Sequence, residues 1–204
     1  MLLDFTSLKD RFSMDIKGVI HIGAHQGGEH SLFENSSASN FIFFEPLSEN
    51  FKALKEKVKD PRATFVNKAL GSSCGNMKMF VEHDNEAQSS SLLRPKLHTL
   101  QYPHIKFTDE EVVSVSTLDK EIADASVYNC IIIDVQGYEI EVFKGARNTL
   151  PSIDYIISEV NREELYENCA QIDGVDSFLS DYGFERAATS WEGGTWGDAL
   201  YVKK

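Results

Sequence analysis

The run Val-Ile-His-Ile-Gly-Ala-His-Gln-Gly-Gly at 19–28 most constrains what this chain can fold into. Its first half is short and apolar and ends in glycine, which suits a strand buried on both faces of a parallel sheet. Glycines at Gly23, Gly27 and Gly28 let the backbone turn sharply and come close to a neighbour or a ligand. The same alternation continues along the chain. Strand character returns at 40–45, 63–70, 129–135 and 155–160, and helical periodicity lies between these runs. Ser48 is placed to cap the helix after Pro46, and a first helix is expected from Gly27 to about Asn35. Residues 76–82 and 112–115 read as further strands, 118–122 as the start of a helix and 139–150 as an amphipathic helix. Val175, Phe178, Leu179 and Tyr182 define a last helix closed by Gly183. Residues 184–189 and 199–202 end the chain as an antiparallel pair. Repeated β-α units predict an α/β fold of the Rossmann-like class, with a mostly parallel seven-stranded sheet, helices on both faces and an antiparallel C-terminal edge.

Composition narrows the partners. The 204 residues suffice for one domain, and 42% apolar with 25% charged residues is ordinary for a globular protein. A net charge of −12 disfavours nucleic acid and anionic membranes. Cys74, Cys130 and Cys169 form no C-x-x-C pair, so a thiolate zinc site is not expected, and the pattern suits a reducing compartment. With no signal-peptide pattern and no membrane-length apolar run, the expected location is the cytoplasm.

Ligands of open α/β sheets bind beyond the carboxyl ends of the strands. Those ends carry the first glycine loop, Glu45, Ala69-Leu70-Gly71, Asp134 and Glu159. The loop spacing differs from the G-x-G-x-x-G that makes room for a pyrophosphate, so a cofactor without one, such as S-adenosylmethionine, fits better than a nicotinamide dinucleotide. Glu45 can accept hydrogen bonds from both hydroxyls of an adenosine ribose. Ala69 and Leu70 would flank the base. Asp134 would face the methyl donor, where a carboxylate binds an amino group, binds a metal or takes a proton. Glu159 approaches the same cleft.

Taken together, His-Ile-Gly-Ala-His-Gln-Gly-Gly (21–28), Phe-Glu-Pro (44–46), Ala-Leu-Gly (69–71), Ser-Thr-Leu-Asp (116–119), Asp-Val-Gln-Gly-Tyr-Glu (134–139) and Lys-Gly-Ala (144–146) resemble the FkbM family of methyltransferases. The resemblance runs from about Val19 to Trp196–Val202. It implies a class I methyltransferase fold and methyl transfer from S-adenosylmethionine, leaving S-adenosylhomocysteine, to a hydroxyl of a sugar, glycan or small natural product. The implied cofactor residues are Gly23, Ala24, Gly27, Glu45, Ala69, Leu70 and Asp134. The chain departs from the family at His21, where an acid is usual. His21 reads either as a hydrogen-bonded core histidine or as a contact to the cofactor's methionine end.

A hydroxyl acceptor needs a base or a metal. The candidate bases are Asp134, Glu159, His98 and His104, and metal involvement stays open. Residues 84–107 show no clear period, and such a segment is read as a lid over the cleft, with Ser89, Ser90, Arg94, His98 and Tyr102 reading the acceptor. Trp191 and Trp196 could stack on a sugar or pack beneath the last strand. The alternative is a non-catalytic Rossmann-like module that binds a cofactor or partner. A nucleic-acid amine methyltransferase is disfavoured by charge and by the lack of an Asn/Asp-Pro-Pro-Tyr/Phe motif. Oligomeric state is not legible.

Overall fold

The computed structural model describes residues 1–34 and 36–204. Its helices are α1 (Phe5–Arg11), α2 (His30–Phe33), α3 (Ser48–Lys57), α4 (Leu97–Gln101), α5 (Leu118–Glu121), α6 (Glu139–Lys144) and α7 (Ile172–Ser180). Its strands are β1 (Gly18–Ile22), β2 (Asn40–Phe44), β3 (Ala63–Val66), β4 (Ala69–Leu70), β5 (Gly75–Glu82), β6 (Phe107–Ser116), β7 (Cys130–Ile133), β8 (Tyr155–Asn161), β9 (Phe184–Glu192) and β10 (Trp196–Lys203).

Seven strands form one sheet in the order β3-β2-β1-β7-β8-β10-β9. The first five run parallel, while β10 is antiparallel to both β8 and β9. The central strands are apolar on both faces because both faces are covered. Ile20, Ile22, Ile131 and Ile133 point into one core with Val142 and Phe143 of α6 and Val175 and Leu179 of α7. Val19, Phe41, Phe43, Cys130 and Ile132 point the other way, onto Phe5 and Leu8 of α1 and Leu54 of α3. The chain order reverses between β1 and β7, the point where an open α/β sheet leaves a ligand crevice.

The segment expected as one strand over 63–70 is two. β3 ends at Val66, and β4 pairs instead with β6 in a second, three-stranded sheet of order β4-β6-β5. Asn67 makes the break possible. Its side-chain amide donates to the carbonyls of Glu45 (2.8 Å) and Pro46 (3.0 Å), so the strand can leave without orphaning them. The small sheet brings Ala69, Leu70 and Met79 to the edge of the main one.

Other boundaries differ for local reasons. The first helix is only His30–Phe33, and Asn35, its expected end, lies outside the described residues. Ser48 does not cap α3: its hydroxyl donates to Glu111 Oε1 at 3.2 Å, and Glu45 Oε1 takes the N–H of Leu47 at 2.9 Å. The helix expected over 139–150 stops at Lys144. Helix α1, capped by Asp4 at the N–H groups of Thr6 and Ser7, was not anticipated.

Ile131 is fully buried between Ile20 and Ile156 on the neighbouring strands. Ile131→Ala should cost about 2–5 kcal/mol in urea unfolding, whereas Leu100→Ala, at a residue 77% exposed, should stay within about 0.5 kcal/mol of the parent.

Candidate active site

At the crevice, β1 and β7 approach so closely that a side chain on Gly23 has no room. A Cβ there would lie 1.8 Å from the carbonyl oxygen of Asp134, and Gly23 has φ +76°. The N–H groups of Gly23 and Ala24 both donate to the carbonyl of Phe44 at the end of β2, at 3.0 Å each. The loop is thus tied to its two neighbouring strands, and His25 is turned with φ +47° so that its N–H donates to Glu45 Oε2 at 2.8 Å.

Glu45 is buried with one backbone N–H on each oxygen. Burial pushes its carboxyl up to about 8, against the pull of those two hydrogen bonds. Each oxygen keeps acceptor capacity toward a slot walled by Leu47, Leu70, Met79 and Tyr138. An apolar slot with a buried carboxylate at one end suits a nucleoside: the walls take the base and Glu45 takes the ribose hydroxyls.

This slot continues into two others. One runs along Gly23, Gly27, Gly28, His21 and Glu29. The other runs along Ser89, His98, Tyr102, Glu159 and Trp196. Asp134 and Gln88 line all three.

Asp134 stands in a hydrogen-bonded group. Gln136 Nε2 donates to Asp134 Oδ1 at 2.7 Å and to Glu159 Oε2 at 2.5 Å. Tyr166 places its hydroxyl 2.7 Å from Gln136 Oε1 and 2.9 Å from the carbonyl of Ser89, and so fixes which end of the amide faces the acids. Ser91 donates to the carbonyl of Gln136 at 2.8 Å. These bonds hold Gln136 at φ +54°, an uncommon conformation for a residue with a side chain. Beneath it, Glu139 Oε1 accepts the N–H groups of Val135 (3.1 Å) and Gly137 (3.2 Å), and burial pushes its carboxyl up to about 7. Glu159 is 3% exposed. Burial, and then the charge of Asp134, hold its carboxyl well above the usual range, so it keeps its proton.

The structure brings Gly23, Gly27, Glu45, Ala69, Leu70 and Asp134 to the cleft, and with them His21, Ser89, Ser90, His98, Tyr102 and Glu159. His21 is both buried and cleft-lining. Its Nε2 lies 4.0 Å from Glu29, and burial lowers its pKa, favouring the neutral ring. Three expected residues fall elsewhere. Ala24 is packed in the core beneath the sheet, because the loop turns its backbone rather than its side chain to the cleft. Arg94 is 62% exposed, stacks over Phe80 at 5.0 Å and pairs with Glu167 at 3.9 Å. His104 is exposed beside Tyr102 and lines none of the three cavities. Trp196 does line the cleft, whereas Trp191 carries the guanidinium of Arg162 at 3.7 Å. Sequence reasoning missed Gln136, Gln88 and Tyr166. Gln136 lies inside the quoted Asp-Val-Gln-Gly-Tyr-Glu motif, but its left-handed backbone and bridging amide leave no trace in composition or period.

A model of the methyltransferase FkbM domain matches residues 21–186. The chain belongs to the FkbM methyltransferase family. Among its relatives are a 2-O-methyltransferase, NoeI, of Sinorhizobium fredii, 31% identical over 158 residues, which are 73% of this chain and 65% of that protein. Another is a hexuronic acid methyltransferase, AglP, of Haloferax volcanii, 27% identical over 127 residues, 62% of this chain and 49% of that one. The matched spans therefore cover about two thirds and one half of these relatives. The fold is that of class I methyltransferases. A putative tRNA (m1A22) methyltransferase of Streptococcus pneumoniae in complex with S-adenosylmethionine superposes with a TM-score of 0.56 at 13% identity, covering 100% of this chain and 73% of that one. A magnesium protoporphyrin IX methyltransferase of Synechocystis with bound cofactor gives 0.54 at 12% identity, covering 98% and 76%. S-adenosylmethionine is the cofactor the FkbM domain's residues fit.

Glu45 yields a signed pH prediction. Its folded pKa lies above its ordinary one, so its contribution to stability is full below about pH 4.5 and fades as pH rises toward 8. Only the ionised carboxylate accepts from both ribose hydroxyls, so calorimetric affinity for S-adenosylhomocysteine should rise on the order of tenfold from pH 6 to 8. In Glu45→Gln that rise should be absent and the affinity lower throughout.

Proposed function

We propose that this FkbM domain, acting as one unit through residues 1–204, transfers a methyl group from S-adenosylmethionine to a hydroxyl of a sugar, glycan or related small molecule. The observation that carries the reading is the position of Asp134, which lies where the nucleoside slot, the glycine-loop channel and the cavity under 84–107 meet. The relatives' names, a 2-O-methyltransferase and a hexuronic acid methyltransferase, support a sugar hydroxyl and leave the charge of the sugar open. Among the described residues, no helix is long and apolar enough to cross a membrane. The cytoplasm is the proposed location.

When bound, the cofactor supplies an already activated methyl group on a sulfonium, so the protein's task is alignment, exclusion of water and removal of one proton. Glu45 anchors the nucleoside end. Gly23 and Gly27 let the backbone run close beneath the methionine end, with His21 neutral behind it. Asp134 would take the hydroxyl proton of the acceptor. Gln136 holds Asp134 in place, and Glu159 stays protonated and cannot compete for that proton. Residues 84–107 cover the acceptor through Gln88, Ser89, His98 and Tyr102. Arg94 and His104 have no part in it.

The two carboxyl groups should separate cleanly on substitution. Asp134→Asn should lower turnover on the order of 10²–10⁴-fold. Glu159→Gln imitates the protonated acid and should stay within about tenfold of wild type at pH 7. Release of S-adenosylhomocysteine with a sugar acceptor measures both. Equal losses would remove the distinction between base and protonated neighbour. Tight cofactor binding without turnover of any hydroxyl acceptor would make the domain a binding module.

A further inference from the structure

We infer that the acceptor unit methylated by this domain carries no negative charge: the cavity is built for a neutral or amino sugar and excludes uronates and phosphorylated or sulfated sugars. The inference rests on the methyltransferase reading and concerns the charge which that reading leaves open.

The acceptor-side cavity is walled by five carboxyl side chains, those of Glu29, Asp134, Glu159, Glu192 and Asp198. Among the described residues, no lysine or arginine side chain lines it. Three basic side chains of the covering and neighbouring segments are engaged elsewhere. Arg94 turns outward to Glu167 and Phe80, Lys96 pairs with Glu164, and Arg162 stacks on Trp191. The amino group of Met1, 3.6 Å from Glu29, offsets one carboxylate. A proton on Glu159 removes another charge, and a sulfonium in the cleft compensates a third. The wall remains acidic after all three.

A second feature of the cavity is a buried, neutral histidine on its wall. His98 is buried, lines the cavity, and has an Nδ1 with no hydrogen-bond partner. Its ring is packed among Tyr102, Phe107 and Tyr166 at centroid distances of 5.1–5.5 Å. Burial lowers its pKa to about 4, so the imidazole brings hydrogen-bonding capacity without positive charge. Trp196 Nε1 donates to the Tyr102 hydroxyl at 2.8 Å, fixing both rings on the same wall. Flat aromatic faces and a neutral imidazole suit the C–H faces and hydroxyls of a sugar. The carboxylates repel an anion and can pair with a protonated amine.

The test uses matched methyl glycosides of glucose, glucosamine and glucuronate with S-adenosylmethionine, reading release of S-adenosylhomocysteine at low and moderate salt. The glucoside or the glucosaminide should exceed the glucuronide in kcat/KM by about tenfold or more, and the gap should narrow as salt screens the wall. Glu192→Lys, at an exposed rim position, should raise the glucuronide relative to the glucoside severalfold. Equal or faster turnover of the glucuronide, no turnover of any of the three, or an unchanged ratio in Glu192→Lys overturns the inference. A parallel titration with S-adenosylhomocysteine separates the two levels: if it does not bind, the methyltransferase reading falls, and the acceptor inference with it.

Discussion

The contact between Gly23 and the carbonyl of Asp134 sets the geometry of everything around it. Two parallel strands, β1 and β7, end side by side at the reversal of strand order, and their loops must diverge to open a crevice. At Gly23 the backbone passes so near Asp134 that no side chain fits between them. The same turn points the N–H of His25 at Glu45. The nucleoside anchor and the central carboxylate are thereby placed relative to each other by backbone, with no dependence on a flexible side chain.

Around that frame the site separates buried acids by environment. Glu45 sits in an apolar slot with two backbone donors. Glu139 caps the loop beneath Asp134. Glu159 lies against Asp134 under the amide of Gln136. Like charges as close as Glu139, Glu159 and Asp134 cannot all ionise, and Glu159 holds its proton. The cost of burying Tyr166 and half-burying Gln136 is offset because each polar atom of the amide has a partner. The covering segment belongs to the same network. Ser89 and Ser91 bond to Tyr166 and Gln136, so the covering segment and the carboxylates share one set of hydrogen bonds.

The main sheet was legible because its central strands are buried on both faces and read as unbroken apolar runs. Residues at strand ends, including Glu45, Asp134 and Glu159, followed from topology alone. The second sheet was not legible: the break at Asn67 depends on side-chain bonds to carbonyls at the end of the neighbouring strand. Ala24 shows the limit of carrying a motif over residue by residue. A loop that presents its backbone to a ligand can bury the side chain of the same position. Arg94 and His104 failed for a related reason, since a polar residue in a covering segment can face either way and only its packing against Phe80 or Tyr102 decides. His21 is both buried and on the cleft wall.

The most direct test of the account is a crystal structure of the protein with S-adenosylhomocysteine. The account predicts both ribose hydroxyls on Glu45, the base between Leu47, Leu70 and Met79, and the sulfur facing the junction at Asp134. A ligand bound away from Glu45, or one whose sulfur points away from Asp134, would contradict it.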